Sequence, residues 1–92
     1  MRMELDCRQM TDKQAAHAYL KQKLSFPEYY GNNLDALFDV LTDRAEPTEL
    51  VLIHWRLLGS QMGSYGVSLL DTLREASEEN PNLEVTLSDS HD

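Results

Sequence analysis

The chain has 92 residues, a net charge of −8 and 41% hydrophobic residues. That length fits one small domain with a single modest core, and the apolar content with its clear periodicity excludes a disordered chain. A surface of this sign repels nucleic acid and anionic membranes and attracts basic partners.

The charge is blocked along the chain. Residues 1–27 carry five basic and three acidic side chains, and residues 28–49 carry six acids and Arg44. Residues 50–70 carry only Arg56, and residues 71–92 carry seven acids and Arg74. Cys7 is the only cysteine, so no disulfide can form within the chain. The first ten residues, MRMELDCRQM, lack the apolar run of a signal peptide. No stretch approaches the ~20 apolar residues of a membrane span. A cytoplasmic protein is expected.

Residues 3–7 alternate, with Met3, Leu5 and Cys7 on one face, which predicts a strand wet on the other. Cys7 then reads as a small buried hydrophobe. Thr11 and Gln14 have capping-box spacing, so a helix is expected over residues 12–24 with Ala16, Tyr19, Leu20 and Leu24 as its apolar stripe. His17 sits beside that stripe and reads as a packed or surface histidine, because no second ligand has metal-site spacing with it.

Residues 25–31 read as a loop, and Pro27 pushes Phe26 out of helical geometry. Asn32 or Asn33 caps a second helix. On its wheel Leu34, Leu37, Val40 and Leu41 form the buried arc, Asp35, Asp39, Thr42 and Asp43 the opposite one, and Phe38 the border. Residues 50–53 are apolar without alternation, as in a strand buried on both faces. Residues 56–58 allow a short helical turn. Residues 59–66 hold three glycines and two serines and read as a loop. A helix is expected over residues 67–79 with Leu69, Leu70, Leu73 and Ala76 inside, stopped by Asn80 and Pro81. Residues 83–88 alternate as a last strand, and residues 88–92 form a polar tail that includes His91.

Helices between strands imply parallel pairing. The middle strand is the sheet centre, so the expected fold is a two-layer α/β domain over residues 1–92. Its three-stranded parallel sheet has order 1-2-3, with the helices on one face.

Asp35 and Asp39 are one turn apart and share a helix face. Paired carboxylates can serve acid–base catalysis, but no Ser/His/Asp set, glycine-rich phosphate loop or Cys/His cluster supports them. Helix geometry alone leaves a solvated face and a binding surface equally open. Tyr29, Tyr30 and Phe38 place aromatics around the acids, which favours an interface. One of the two tyrosines is expected to pack beneath the loop.

These residues also carry a resemblance. FPEYYGNNLDALFDVLT in this chain is similar to LPEYYGENLDALWDCLT of the barstar family. Trp55-Arg56 and Arg74-Glu75-Ala76 add smaller matches, and the element order agrees along nearly the whole chain. The resemblance implies an intracellular protein inhibitor of a secreted, barnase-like, guanyl-specific ribonuclease. It implies that Asp39 enters the enzyme's cationic phosphate-binding cluster in place of a substrate phosphate. Asp35 would pair with an arginine beside it, and Tyr29 would pack on the catalytic histidine. Gly31 and Asn33 would make loop contacts, Phe38 and Thr42 would flank the acids, and Glu75 would add a second acidic contact. No catalytic residue, metal or cofactor is expected, nor a nucleic-acid or membrane partner, and the free protein is expected to be a monomer.

The chain departs from the family motif at Phe38 for tryptophan, Val40 for cysteine, and Asp43-Arg44 for Gly-Trp. Arg44 beside a cationic enzyme site should be repelled unless the partner differs there. The alternative reading is therefore a barstar-fold adaptor for another basic protein.

Overall fold

Alternation carries through at the first sheet edge. In the computed structural model, which describes residues 1–88, Leu5 enters the core with Met3 packed beside it, while Glu4 is exposed. These residues form β1 (Arg2–Asp6), which stops one residue short of the expected strand because Cys7 opens a single 3-10 turn (Cys7–Gln9). Asp6 caps that turn by accepting from the Arg8 N–H. Cys7 is buried as expected, and burial pushes its thiol up to about 12, so it stays protonated at neutral pH.

α1 (Lys13–Leu24) is capped by Asp12 rather than Thr11. The Asp12 carboxylate accepts from the Ala15 N–H at 2.8 Å, which places the helix start one residue later than the capping-box reading. α2 (Leu34–Thr42) is capped by Asn33, and Asn32 instead adopts a left-handed φ of 55°. β2 (Thr48–Ile53) begins immediately after Pro47, two residues before the expected strand.

The largest departure is in the glycine-rich stretch. It is not a loop but α3 (Leu57–Met62) followed, after Gly63, by α4 (Ser64–Glu79). Gly66 is the reason for its composition. A Cβ there would fall 1.8 Å from the Leu58 carbonyl oxygen, so only glycine lets the two helices approach this closely. Gly63 takes the positive φ of 61° at the turn between them.

β3 (Leu83–Ser88) completes a parallel sheet of order β1-β2-β3, as the patterning predicts. Leu5, Leu50, Leu52 and Leu83 from the sheet share one core with Leu20, Leu37, Leu58 and Leu69 from the four helices. All helices therefore cover the same sheet face. On the other face the central Val51 and Ile53 are only 4% and 5% exposed, though their neighbours in register are the polar Glu4, Thr86, Asp6 and Ser88. Glu49 accepts there from Thr86 and lies 3.5 Å from Arg2.

Four helix positions expected in the core, Tyr19, Leu34, Val40 and Leu70, are only half-buried. The polar tail expected at residues 88–92 lies outside the described residues, His91 included, except for Ser88, which ends β3.

Candidate functional site

The site is built by the loop that leaves α1. Ser25 takes a left-handed φ of 56° and Phe26 donates back to the Lys21 carbonyl, closing the helix with a Schellman-type turn. Phe26 then turns inward and is buried against Tyr30, with ring centroids 4.8 Å apart. Tyr30 donates its N–H to the Pro27 carbonyl, which tightens the loop into a turn. The consequence is a division of the tyrosine pair. Tyr30 is 5% exposed and Tyr29 is 87% exposed.

His17 holds Tyr30 in place. Its Nδ1 lies 2.7 Å from the Tyr30 hydroxyl and its Nε2 lies 2.6 Å from the Tyr65 hydroxyl. One buried imidazole thus joins α1, the loop and α4. Burial holds His17 below its usual histidine range, and the nearby Lys13 cation adds to this. Burial raises both tyrosine hydroxyls. Sequence reading takes His17 as a packed side chain but does not find its partners, which lie 13 and 48 residues away.

Asn33 starts α2 by accepting from the Ala36 N–H at 2.7 Å, and its amide donates to the Gly31 carbonyl at 3.2 Å. Its side chain thereby orders the loop–helix junction from within. Asp35 and Asp39 follow on one exposed face. Asp35 stands in the first turn, where the helix dipole favours a carboxylate. Phe38 is half-buried against the core. Thr42 is half-buried, and its hydroxyl donates to the Phe38 carbonyl at 2.9 Å.

Glu75 comes from α4, which packs against α2. Buried Asn80 at the end of α4 donates to the Leu41 and Arg44 carbonyls, each at 2.9 Å. The two helices therefore converge at their C-terminal ends. Asp39 on α2 and Glu75 on α4 are both exposed. Sequence reading finds Asn80 only as a helix stop. Its burial is a tertiary property with no local signature.

Such a surface offers carboxylates able to accept charge-assisted bonds from arginine or lysine, and the loop leading into it carries an exposed tyrosine. Among the described residues no three His, Cys, Asp or Glu side chains gather as a metal-binding group.

Residues 1–88 match the family model described as Barstar (barnase inhibitor). The chain belongs to the barstar family. It is also similar to a protein of Bacillus subtilis (strain 168) described as "Putative ribonuclease inhibitor YrdF", with 42% identity over 76 residues that cover 82% of this chain and 84% of that protein. Within the barstar-family motif the departure at Arg44 acquires a structural account. Its Nε donates to Thr48 at 2.8 Å and its Nη1 to the Leu24 carbonyl at 3.4 Å. The side chain turns back toward the C-terminal end of α1, where the helix dipole favours a cation.

Proposed function

We propose that this protein inhibits a barnase-like, guanyl-specific ribonuclease by covering the enzyme's cationic active site with the face formed by α2 and its lead-in loop. The observation that carries the reading is the pairing of exposed Asp35 and Asp39 with a fully presented Tyr29 inside the barstar-family motif. Asp39 takes the place of a substrate phosphate, because a carboxylate and a phosphate both accept the parallel N–H bonds of a guanidinium. Asp35 engages a neighbouring arginine and Tyr29 stacks on the enzyme's catalytic histidine. Glu75 extends the acidic contact from α4, and Gly31, Asn33, Phe38 and Thr42 shape the surface between them. The name of the Bacillus subtilis relative supports the same reading.

The protein acts in this reading as a protein ligand and not as an enzyme. It protects the cell that makes it, from the cytoplasm. Among the described residues no helix is long and apolar enough to cross a membrane.

An RNA-cleavage assay with barnase-type ribonucleases and an equimolar dose of this protein tests the proposal. Cleavage is expected to stop, and to resume with Asp39→Ala. Undiminished cleavage across several such enzymes would turn the reading toward an adaptor for another basic protein.

A further inference from the structure

A cleft of about 210 Å³ opens beside the acidic face, between the end of α1, the lead-in loop and the end of α2. Its lining includes buried Phe26, half-buried Pro27 and Val40, exposed Tyr29 and Asp43, and half-buried Arg44. We propose that this cleft receives a side-chain carboxylate of the partner ribonuclease, bound by Arg44, and that Arg44 is a specificity-determining residue of the interface. The inference rests on the ribonuclease-inhibitor reading for the identity of the partner, but not for the chemistry of the cleft.

Arg44 is a half-buried cation that meets only neutral acceptors, Thr48 and the Leu24 carbonyl. Among the described residues no carboxylate lies within ion-pair distance of it. A guanidinium has five N–H donors in a fixed fork. The two bonds to Thr48 and Leu24 leave Nη2 and one Nη1 hydrogen for a further acceptor. That end of the fork suits a carboxylate, which accepts two parallel bonds from it.

The group is also ordered in advance. Nε and Nη1 fix the side chain, and the Arg44 carbonyl is held by Asn80 at 2.9 Å. Little side-chain freedom remains to be lost on binding. Asp43 lines the same cleft, but it is exposed, so its repulsion is screened by solvent more than the attraction of half-buried Arg44.

The occupant comes from the same partner because the surfaces are continuous. Tyr29 and Asp43 both line the cleft, Asp43 stands one turn beyond Asp39, and Tyr29 lies on the loop that leads into the same helix. The surface is thus bipolar. Asp35 and Asp39 select a cationic active site, and Arg44 rejects a ribonuclease that is uniformly cationic around it.

Two measurements test this. In the first, arginine Nε–H resonances of the labelled protein are followed while sodium acetate replaces sodium chloride at constant ionic strength. Arg44 is expected to shift saturably and by more than exposed Arg74. A response no larger than that of Arg74 overturns the cleft as a carboxylate site. In the second, barnase variants carrying single Asp or Glu substitutions around the active site are titrated with the wild-type inhibitor, Arg44→Ala, Arg44→Lys and Asp39→Ala. At least one variant is expected to bind the wild type 10-fold tighter than barnase does, with the gain lost in Arg44→Ala and partly kept in Arg44→Lys. The absence of any gain, or a gain that survives Arg44→Ala in a protein whose melting shows it folded, overturns the assignment. Asp39→Ala reads the underlying proposal separately. If it changes nothing, or if barnase is not bound at all, the ribonuclease reading falls and the acetate titration alone decides the cleft.

Discussion

The Nδ1 of His17 lies 2.7 Å from the hydroxyl of Tyr30, inside the protein, and this contact supports the loop that presents Tyr29. A neutral imidazole donates at one nitrogen and accepts at the other, and tyrosine hydroxyls rotate to suit either role. Protonation would make both nitrogens donors, which the Tyr30 and Tyr65 hydroxyls could still accept. The cost of charging His17 therefore comes first from its burial, and the Lys13 cation, packed over the Tyr65 ring at 5.2 Å, adds to it. The folded protein holds His17 below the usual value of 6.5, so between these two values the unfolded chain binds the additional proton. Stability is fully present above about pH 6.5 and is lost as pH falls through the folded value, by about 1.4 kcal/mol per unit of depression. Thermal melting from pH 7.5 to 4.5 should show this loss, and His17→Gln should flatten that part of the profile. Asp6, held below the usual carboxylate range chiefly by its hydrogen bond from Arg8, contributes only at lower pH.

The tyrosine pair should separate folding from binding. Tyr30→Phe keeps the ring against Phe26 but leaves His17 Nδ1 without its partner, at a cost of about 1–3 kcal/mol. Tyr29→Ala removes an exposed side chain and should change stability by no more than about 0.5 kcal/mol. Inhibition should respond in the opposite order, with Tyr29→Ala weakening it and Tyr30→Phe doing so only through the fraction unfolded. Denaturant titration beside an inhibition assay distinguishes them. Equal losses of stability in both variants would contradict the division of the pair.

Asp35→Ala and Asp39→Ala should leave the melting temperature near that of the wild type, since both side chains are exposed. Their effect belongs to the complex, where each removes a charge-assisted hydrogen bond worth about 1.5–3 kcal/mol. The wild-type association rate should fall as salt rises, because the Debye length shortens to about 8 Å at physiological ionic strength. Stopped-flow association over a salt series should show that slope diminished in each variant. A slope unchanged in both would remove the two acids from the interface.

The sheet order and the acidic face are legible in sequence because they rest on local patterns. Met3 and Leu5 alternate, the run over residues 50–53 does not, and Asp35 and Asp39 are one turn apart. His17, Arg44 and Asn80 are less legible. Their roles depend on partners brought together by the fold, such as Tyr65 for His17 and the Leu41 carbonyl for Asn80. Gly66 misleads for a related reason, since a glycine needed for a loop and one needed for close helix packing look alike in sequence. Arg44 also misleads, because charge at the end of α2 predicts repulsion from a cationic partner only until its direction is known.

Asn80 should prove more important than its place at a helix end suggests. Its amide is the link from α4 to the Leu41 and Arg44 carbonyls, and its side-chain oxygen accepts from the Asn82 N–H. Asn80→Ala removes this donor from the Leu41 carbonyl, which keeps only the Arg44 N–H at 3.3 Å, at a cost of about 0.5–1.5 kcal/mol for each bond lost. It should also loosen the end of α2 against α4. Hydrogen exchange at the end of α2 should accelerate in this variant more than exchange at the start of α1. Uniform acceleration would mean that Asn80 contributes to global stability without fixing the site.

The two glycines that flank the α3–α4 turn should respond to alanine with opposite severity. In Gly66→Ala the new Cβ meets the Leu58 carbonyl oxygen at 1.8 Å and its carbon at 2.4 Å, both backbone atoms that cannot swing aside. The helices would have to separate, which costs about 1–3 kcal/mol or more through strain and lost packing. In Gly59→Ala the nearest atom is Val67 Cγ2 at 3.8 Å, an ordinary contact, and the residue lies within α3. Alanine is preferred over glycine in a helix by about 0.8–1 kcal/mol, so this variant should be neutral or more stable than the wild type. Equilibrium unfolding of the two variants compares them directly. Comparable stability in both would show that Leu58 and Gly66 are not in close contact, and would return residues 59–66 to the loop that their composition suggests.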